Sequence, residues 1–493
     1  MNERSRYIIG VDIGTGSTKT IAADAAGKVY ASYQQGYDTF QPRQLYSEQD
    51  PEKLLQAVKA GIASVVQQLG YPPAAITFSA AMHGLIAMDA GGTALTPLIT
   101  WADNRSYEVA AALKDTDTGH ALYHQTGTPV HAMSPLCKIM WLREQQPAIF
   151  ARTAMFAGIK SYLFHHLLQR YVTDHAMASA TGMLDIHTLE WSKLALDTAG
   201  ISKAQLPELV RTRQVLTGLA PAIAAELGIP ASTPLIAGGS DGCLAQLGSA
   251  AMDAGHATLT IGTSGAVRMA VGQPVTDIHR RLFTYVLTEN QFITGGATNN
   301  GGAVVQWFVV HFLQQPATAV GACVEQALAL PPGGNGLLCL PYLFGERAPV
   351  WDSSAQGMFT GVQSTHTAMH FLRAILEGIC FNLLSIAAAL EETVQPIQQV
   401  AVSGGFTASR GWMQLLADVF RKPVSLQQQS DASAMGAIIL ALQALGLPDQ
   451  DFEQTAPEEV FAPDEAAAAI YQKNYVQFKT LYAPQVKKEE TRG

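Results

Sequence analysis

Apolar and polar positions fall into short runs over the first forty residues. Tyr7–Ile13, Thr18–Asp24 and Val29–Gln34 each read as a strand, with glycine-containing turns between them. Over residues 51–69 the pattern becomes amphipathic and helical. Ile76–Ala80 and Leu85–Met88 return to strand. From about residue 107 to 216 helical patterns dominate, and Thr233–Gly239 reads as a buried strand ending in glycines. The order then recurs. Strands are expected at 257–261, 266–270 and 282–287, helices at 303–313 and 367–391, and a strand at 400–403 running into Gly404-Gly405. Three strands, a helix, a strand and further helices in each half predict a duplicated α/β domain. The boundary is set near residue 250, giving lobes 1–250 and 251–493. No low-complexity linker marks it, so the lobes are expected to share a broad interface.

Each half also carries a glycine hairpin. The first reads GVDIGTGSTKTIAAD from Gly10 to Asp24, the second LTIGTSGAVRMAVG from Leu259 to Gly272. Such turns leave backbone N–H groups unpaired and add hydroxyl donors, so they can wrap an anion such as phosphate. One of them alone is as well explained by an ordinary hairpin turn. Two suggest paired lobes gripping one polyphosphate. Only the first has an acid, Asp12, on its leading strand, which suits a Mg²⁺–nucleotide site. Neither has P-loop spacing, and a strand rather than a helix follows each, unlike a Rossmann turn.

Composition narrows the classes further. A chain of 493 residues is too long for one ordinary core. Its 48% hydrophobic and 14% charged content is globular, and a net charge of −9 argues against nucleic-acid or anionic-membrane surfaces. No signal-peptide pattern and no run of about 18 apolar residues is seen. Five widely spaced cysteines without a CxxC fit unpaired thiols in a reducing cytoplasm and no metal centre of their own. The Lys- and Glu-rich end past Tyr482 is expected to be frayed.

Longer patterns are more specific. Met133-x-Pro135-x-x-Lys138-Ile139-x-Trp141-Leu142-x-Glu144-Gln145 resembles one signature of the FGGY carbohydrate kinases. Gly357-x-Phe359-x-Gly361-Val362, followed by His370-Phe371 and Ala374-Ile375-Leu376-Glu377, resembles the other. The likeness runs from Tyr7 to about Leu445. It implies two related actin-like, ribonuclease H-like ATPase domains with a cleft between them. It also implies ATP and Mg²⁺ as cofactors and a sugar or polyol as acceptor.

Phosphorylating a hydroxyl needs a base beside it and stabilisation of the moving phosphoryl charge. Asp241, in the glycine-rich run 238–242 after a buried strand, is the candidate base. An Asx-turn or helix cap is the competing reading of the residue itself. The resemblance implies that Asp12 organises Mg²⁺ and that Thr15, Gly16, Ser17 and Lys19 meet the phosphates. Thr263 would be the matching clamp. Gly302, Gln306, Gly404, Gly405 and Ser409 would lie on the adenosine side, with Trp307 in the core. Met82, His83, Asp103, Arg105, Asp241 and Gly242 would line the acceptor pocket, with a loop closed by an internal Asp103–Arg105 pair as the competing reading of those two. Arg105 or Lys160 could meet a substrate carboxylate, although a surface position suits Lys160 better.

Met82-His83 and the run 99–106 resemble the family members that phosphorylate gluconate, so an open-chain sugar acid is the expected acceptor. Members acting on xylulose share Met-His-Gly and are the alternative. An ATP-driven conformational module and a silent sugar sensor are further readings, opposed by Asp12, Thr15, Asp241 and the two signatures. A homodimer is left open.

Overall fold

The computed structural model describes residues 7–249, 251–426, 431–448 and 459–482. Residue 250, where the boundary was set, and the end past Tyr482 lie outside the described residues.

The first half is built on strands β1 (Ile8–Ile13), β2 (Ser17–Ala23) and β3 (Val29–Gly36), helix α1 (Pro51–Leu69) and strand β4 (Ala75–Ala80). Strands β5 (Val215–Leu216) and β6 (Leu235–Ser240) complete a sheet of order β5-β6-β4-β1-β2-β3. Its central strands are buried on both faces, which is why β1 and β4 read as nearly continuous apolar runs. Helix α1 starts where Asp50 accepts from Glu52 N and Pro51 takes the first turn. It stops at Gly70, whose φ is 75°. The helix-rich middle lies between β4 and β5.

The second half repeats this plan. Helix α2 (Asp241–Gly248) closes the first lobe, and β7 (His256–Ile261), β8 (Gly265–Val271), β9 (Phe283–Thr288) and β10 (Gln291–Thr298) open the second. Helices α3 (Gly302–Trp307) and α4 (Ala368–Thr393), strand β11 (Gln399–Ser403), helix α5 (Arg410–Phe420), strand β12 (Val424–Leu426), helix α6 (Ala432–Ala444) and strand β13 (Glu459–Phe461) follow. The sheet order is β9-β10-β8-β7-β11-β12-β13. In both sheets the central strand, β1 or β7, pairs antiparallel with its successor and parallel with the crossover strand, β4 or β11. The duplication expected from the sequence is therefore present in register as well as in order.

Two details differ from the sequence reading. Strand β10 was not anticipated, because Gly295-Gly296 interrupts its apolar pattern. The helix expected over 303–313 is α-helical only to Trp307 and continues as a π turn over Phe308–Phe312. Helix α4 is long and apolar enough to cross a membrane, but 83% of its apolar window is buried inside the second lobe.

The lobes meet where α2 crosses α6. A Cβ at Gly248 would sit 2.0 Å from Ala432 O, and one at Gly436 would sit 2.0 Å from Leu244 O. The two helices therefore touch backbone to backbone. Beyond the crossing, Ala434 and Ile438 of α6 pack with Ile8, Ile21 and Ile236 of the first sheet. Helix α6 thus belongs to both cores, and the expected broad interface is real.

Candidate active site

Strand β6 ends in a bulge against β4, between Ile236 and Gly239. Gly238 makes it possible: its φ is 71°, and a Cβ there would lie 1.9 Å from Phe78 O. The bulge delivers Asp241 to the first position of α2, at the mouth of the interlobe cleft. Its Oδ1 accepts from Gly242 N at 2.7 Å. Burial raises the carboxyl's pKa above the ordinary range, and nearby Arg268 pulls it partly back. A carboxylate made more basic in this way suits proton abstraction from an alcohol.

Asp241 opens into a cavity of about 260 Å³ formed by both lobes. Thr15, Met82, His83 and Trp101 line it from the first lobe, and Arg268, Tyr285 and Arg347 from the second. His83 has a φ of 65°, and its Nδ1 donates to Ala180 O at 2.7 Å. Burial pushes its pKa down to about 3, so the ring is neutral, with Nε2 3.5 Å from the Tyr285 hydroxyl. Lys138, from the first signature, is wholly buried. It donates to His83 O and Thr100 O, each at 2.7 Å. That signature therefore fixes the pocket wall. The second signature is architectural: Glu377 accepts from Gly333 N at 3.0 Å and Arg373 Nε at 2.6 Å inside the second lobe.

The two hairpins stand at the cleft as expected. Gly14 N bonds Ser17 O in the first and Gly262 N bonds Ser264 O in the second. Thr15 lines the cavity and accepts from Trp101 Nε1 at 2.8 Å. Gly16 and Thr263 are exposed at the tips, and Ser17 Oγ accepts from Gln34. Gly302 N donates to Gly262 O at 2.8 Å, which joins the start of α3 to the second hairpin. Gln306 is exposed on α3, while Trp307 packs on the core. Gly404 follows β11 with a φ of 111°, and a Cβ there would lie 2.3 Å from Ile261 O. Gly405 beside it is also exposed.

Asp12 accepts from Ser79 Oγ at 2.7 Å. Burial, with the neighbouring charges of Asp241 and Asp431, lifts its pKa to about 6. Among the described residues no group of three His, Cys, Asp or Glu side chains could hold a metal alone. Asp12 is a hard oxygen donor short of positive charge. It fits Mg²⁺ arriving with nucleotide phosphates that supply further oxygens.

Three expectations, for Asp103, Arg105 and Lys160, need correction. Asp103 and Arg105 do not line the cavity. They form a buried pair, Arg105 Nε to Asp103 Oδ1 at 2.8 Å, and Arg105 also reaches Glu48 at 2.6 Å. Asp103 in turn accepts from Ser47 N, so the pair locks its own loop. Lys160 is neither on the surface nor at the substrate. It is buried against Asp174 at 2.6 Å and donates to Gly239 O at 3.0 Å, under the Asp241 bulge. Lys19 is ion-paired with Asp431, the residue before α6. Ser409 caps α5 and donates to Glu325 at 2.6 Å. The cavity's cations are instead Arg268 and Arg347, which the sequence reading missed.

Comparison with known proteins places the chain in a family. Residues 7–248 match the N-terminal domain of the FGGY family of carbohydrate kinases, and residues 257–445 match its C-terminal domain. The chain is 39% identical to a gluconokinase of Bacillus licheniformis, over 95% of this chain and 94% of that one. Two solved structures from Lactobacillus acidophilus, a gluconate kinase and a ligand-bound xylulose kinase, each superpose with a TM-score of 0.91. Each is 35% identical, over 96% of this chain and 97% of theirs. Kinases of this family use ATP with Mg²⁺. The chain belongs to the FGGY family of carbohydrate kinases.

Proposed function

We propose that this kinase transfers the γ-phosphoryl group of ATP to the terminal hydroxyl of D-gluconate, giving 6-phosphogluconate and ADP. Asp241 takes the hydroxyl proton as the oxygen bonds to phosphorus and the bond to ADP breaks. The hairpin residues Thr15, Gly16, Ser17 and Thr263 hold the phosphates from opposite lobes. Asp12 holds Mg²⁺, which when bound neutralises phosphate charge. Gly302, Gln306, Gly404 and Gly405 form the adenosine side. Met82, His83 and Gly242 border the acceptor.

The observation carrying the acid reading is the charge of the acceptor cavity. Two guanidinium groups, Arg268 and Arg347, face it beside one base. A sugar acid balances that charge, whereas a neutral ketose leaves buried donors unpaired. The gluconokinase relative supports the same choice. The cytoplasm suits an ATP-consuming enzyme whose five cysteines are all buried and unpaired.

Acceptor-dependent ADP release tests the proposal across D-gluconate, D-xylulose, L-ribulose and glycerol. Gluconate should give the highest kcat/KM. A higher value for D-xylulose would transfer the assignment to that ketose. ADP release that no acceptor stimulates would point to a conformational ATPase.

A further inference from the structure

Both arginines face the cavity, yet they are held differently. Arg347 is fixed by the protein. One of its terminal nitrogens donates to Thr298 O at 3.0 Å, and its guanidinium lies 4.9 Å from the Trp101 ring centre. Its backbone N donates to Glu346 at 2.7 Å, and Glu346 is itself tied to Thr298 and Asn300. Thr298 pairs across the sheet with Gly265, at the base of the second hairpin. Arg347 therefore lies between the hairpin base and the acceptor wall, where its charge also reaches His83 and Tyr285.

Arg268 has no comparable anchorage. It interrupts an apolar stretch of β8, between Val267 and Met269. Its Nε is buried without a hydrogen-bond partner, as is that of Arg347, but Arg268 has no counterpart to the bond from an Arg347 terminal nitrogen to Thr298 O. Asp241 is the charge it feels most strongly, but the two form no ion pair. An unpartnered guanidinium costs the free protein stability, and a ligand anion offsets that cost.

Position separates the candidate anions. Arg268 lies four residues beyond Ser264, roughly 13 Å along the strand from the hairpin tip. Its head group rests over Gly242 and beside Met82: a Cβ on Gly242 would be 3.3 Å from Nε and 3.0 Å from the Met82 methyl. Arg268 is thus set back from the hairpin tip, among the residues that border the acceptor. A guanidinium stays charged at neutral pH and matches a carboxylate with two parallel donors.

We infer that Arg268 anchors the acceptor's carboxylate and sets the preference for a sugar acid over a neutral polyol. This inference rests on the gluconate reading. It goes beyond it by assigning the discrimination to one residue.

The test compares wild type, Arg268→Leu and Arg268→Lys with two probes, D-gluconate and the neutral D-sorbitol. Calorimetry gives affinity without ATP, and steady-state kinetics gives kcat/KM for each. The leucine variant should lose gluconate affinity on the order of 10²-fold. Its gluconate-to-sorbitol ratio of kcat/KM should fall towards one, and lysine should restore part of it. ADP binding reports folding. If the leucine variant does not bind ADP, Arg268→Gln carries the test with the same expectations. A preference that survives the substitution overturns the inference while the gluconate reading stands. Equal loss of kcat on both acceptors, with a shifted acid limb of the pH profile, also overturns it, because Arg268 would then serve Asp241. A wild type that binds gluconate no better than sorbitol removes both.

Discussion

Trp101 Nε1 donates a 2.8 Å hydrogen bond to Thr15 Oγ1, tying a wall of the acceptor cavity to the phosphate hairpin. The other side of that indole meets Arg347 of the opposite lobe. One side chain thus touches the donor site, the acceptor site and both lobes. Trp101→Phe keeps an aromatic ring but removes the hydrogen bond. Losing about 1 kcal/mol there should raise the KM for MgATP roughly fivefold, although the residue faces the acceptor. An unchanged KM for MgATP would show that Thr15 needs no support from Trp101.

Asp241→Asn should preserve the loop, since the amide oxygen can still accept from Gly242 N. It should lower kcat on the order of 10²–10⁴-fold by removing the base. Fluorescence titration should find ADP affinity close to wild type. Turnover within a few-fold of wild type would remove Asp241 from proton transfer.

Asp12 gives a pH signature. Its carboxyl pKa rises from 3.8 to about 6 on folding, so the folded state binds the extra proton within that window. The contribution of Asp12 therefore makes the free protein less stable as pH rises from about 4 to about 6. Mg²⁺ favours the ionised form, so stabilisation by MgADP should grow across the same window. Asp12→Asn should flatten both trends. At pH 7 it should raise the melting temperature of the free protein while impairing use of MgATP. Melting curves with and without MgADP, from pH 4.5 to 7, check the sign. A free protein that gains stability from Asp12 over that range would contradict it.

Lys160 and Asp174 are both buried, and Lys160 pins Gly239 beneath the base. Lys160→Met leaves an uncompensated carboxylate and should cost about 3–5 kcal/mol in urea unfolding. Lys160→Met combined with Asp174→Asn should recover part of that loss. The gluconate-to-sorbitol ratio should stay as in wild type, because Lys160 does not line the cavity. A changed ratio would return Lys160 to the acceptor site.

These partners show what a sequence can and cannot disclose. The two hairpins, the strand into Asp241 and Met82-His83 were legible because glycine and hydroxyl spacing is local and each motif builds its own turn. Asp103, Arg105 and Lys160 misled because a charged residue beside a motif looks alike whether it meets a ligand or a buried counter-charge. Asp103 and Arg105 pair with each other across two positions, and only the fold, by burying that pair and setting Asp174 against Lys160, shows that neither meets a ligand. Arg268 left one signal: a single cation in a strand otherwise apolar from Ala266 to Ala270. Arg347 sits in a loop without periodicity, and only the Glu346 network and Trp101 bring it to the cavity. Helix α6 was missed as an interlobe element because an apolar helix shared by two cores looks like any core helix.

The central claim, an ATP-dependent kinase selective for gluconate, is tested most directly by competition in one vessel. D-gluconate and D-xylulose are supplied at equal concentration with limiting ATP and Mg²⁺, and the phosphorylated products are followed by phosphorus NMR. The account predicts that 6-phosphogluconate takes nearly all of the transferred phosphoryl. Predominant xylulose phosphate would contradict the acid-binding cavity, and inorganic phosphate without a sugar phosphate would contradict the kinase itself.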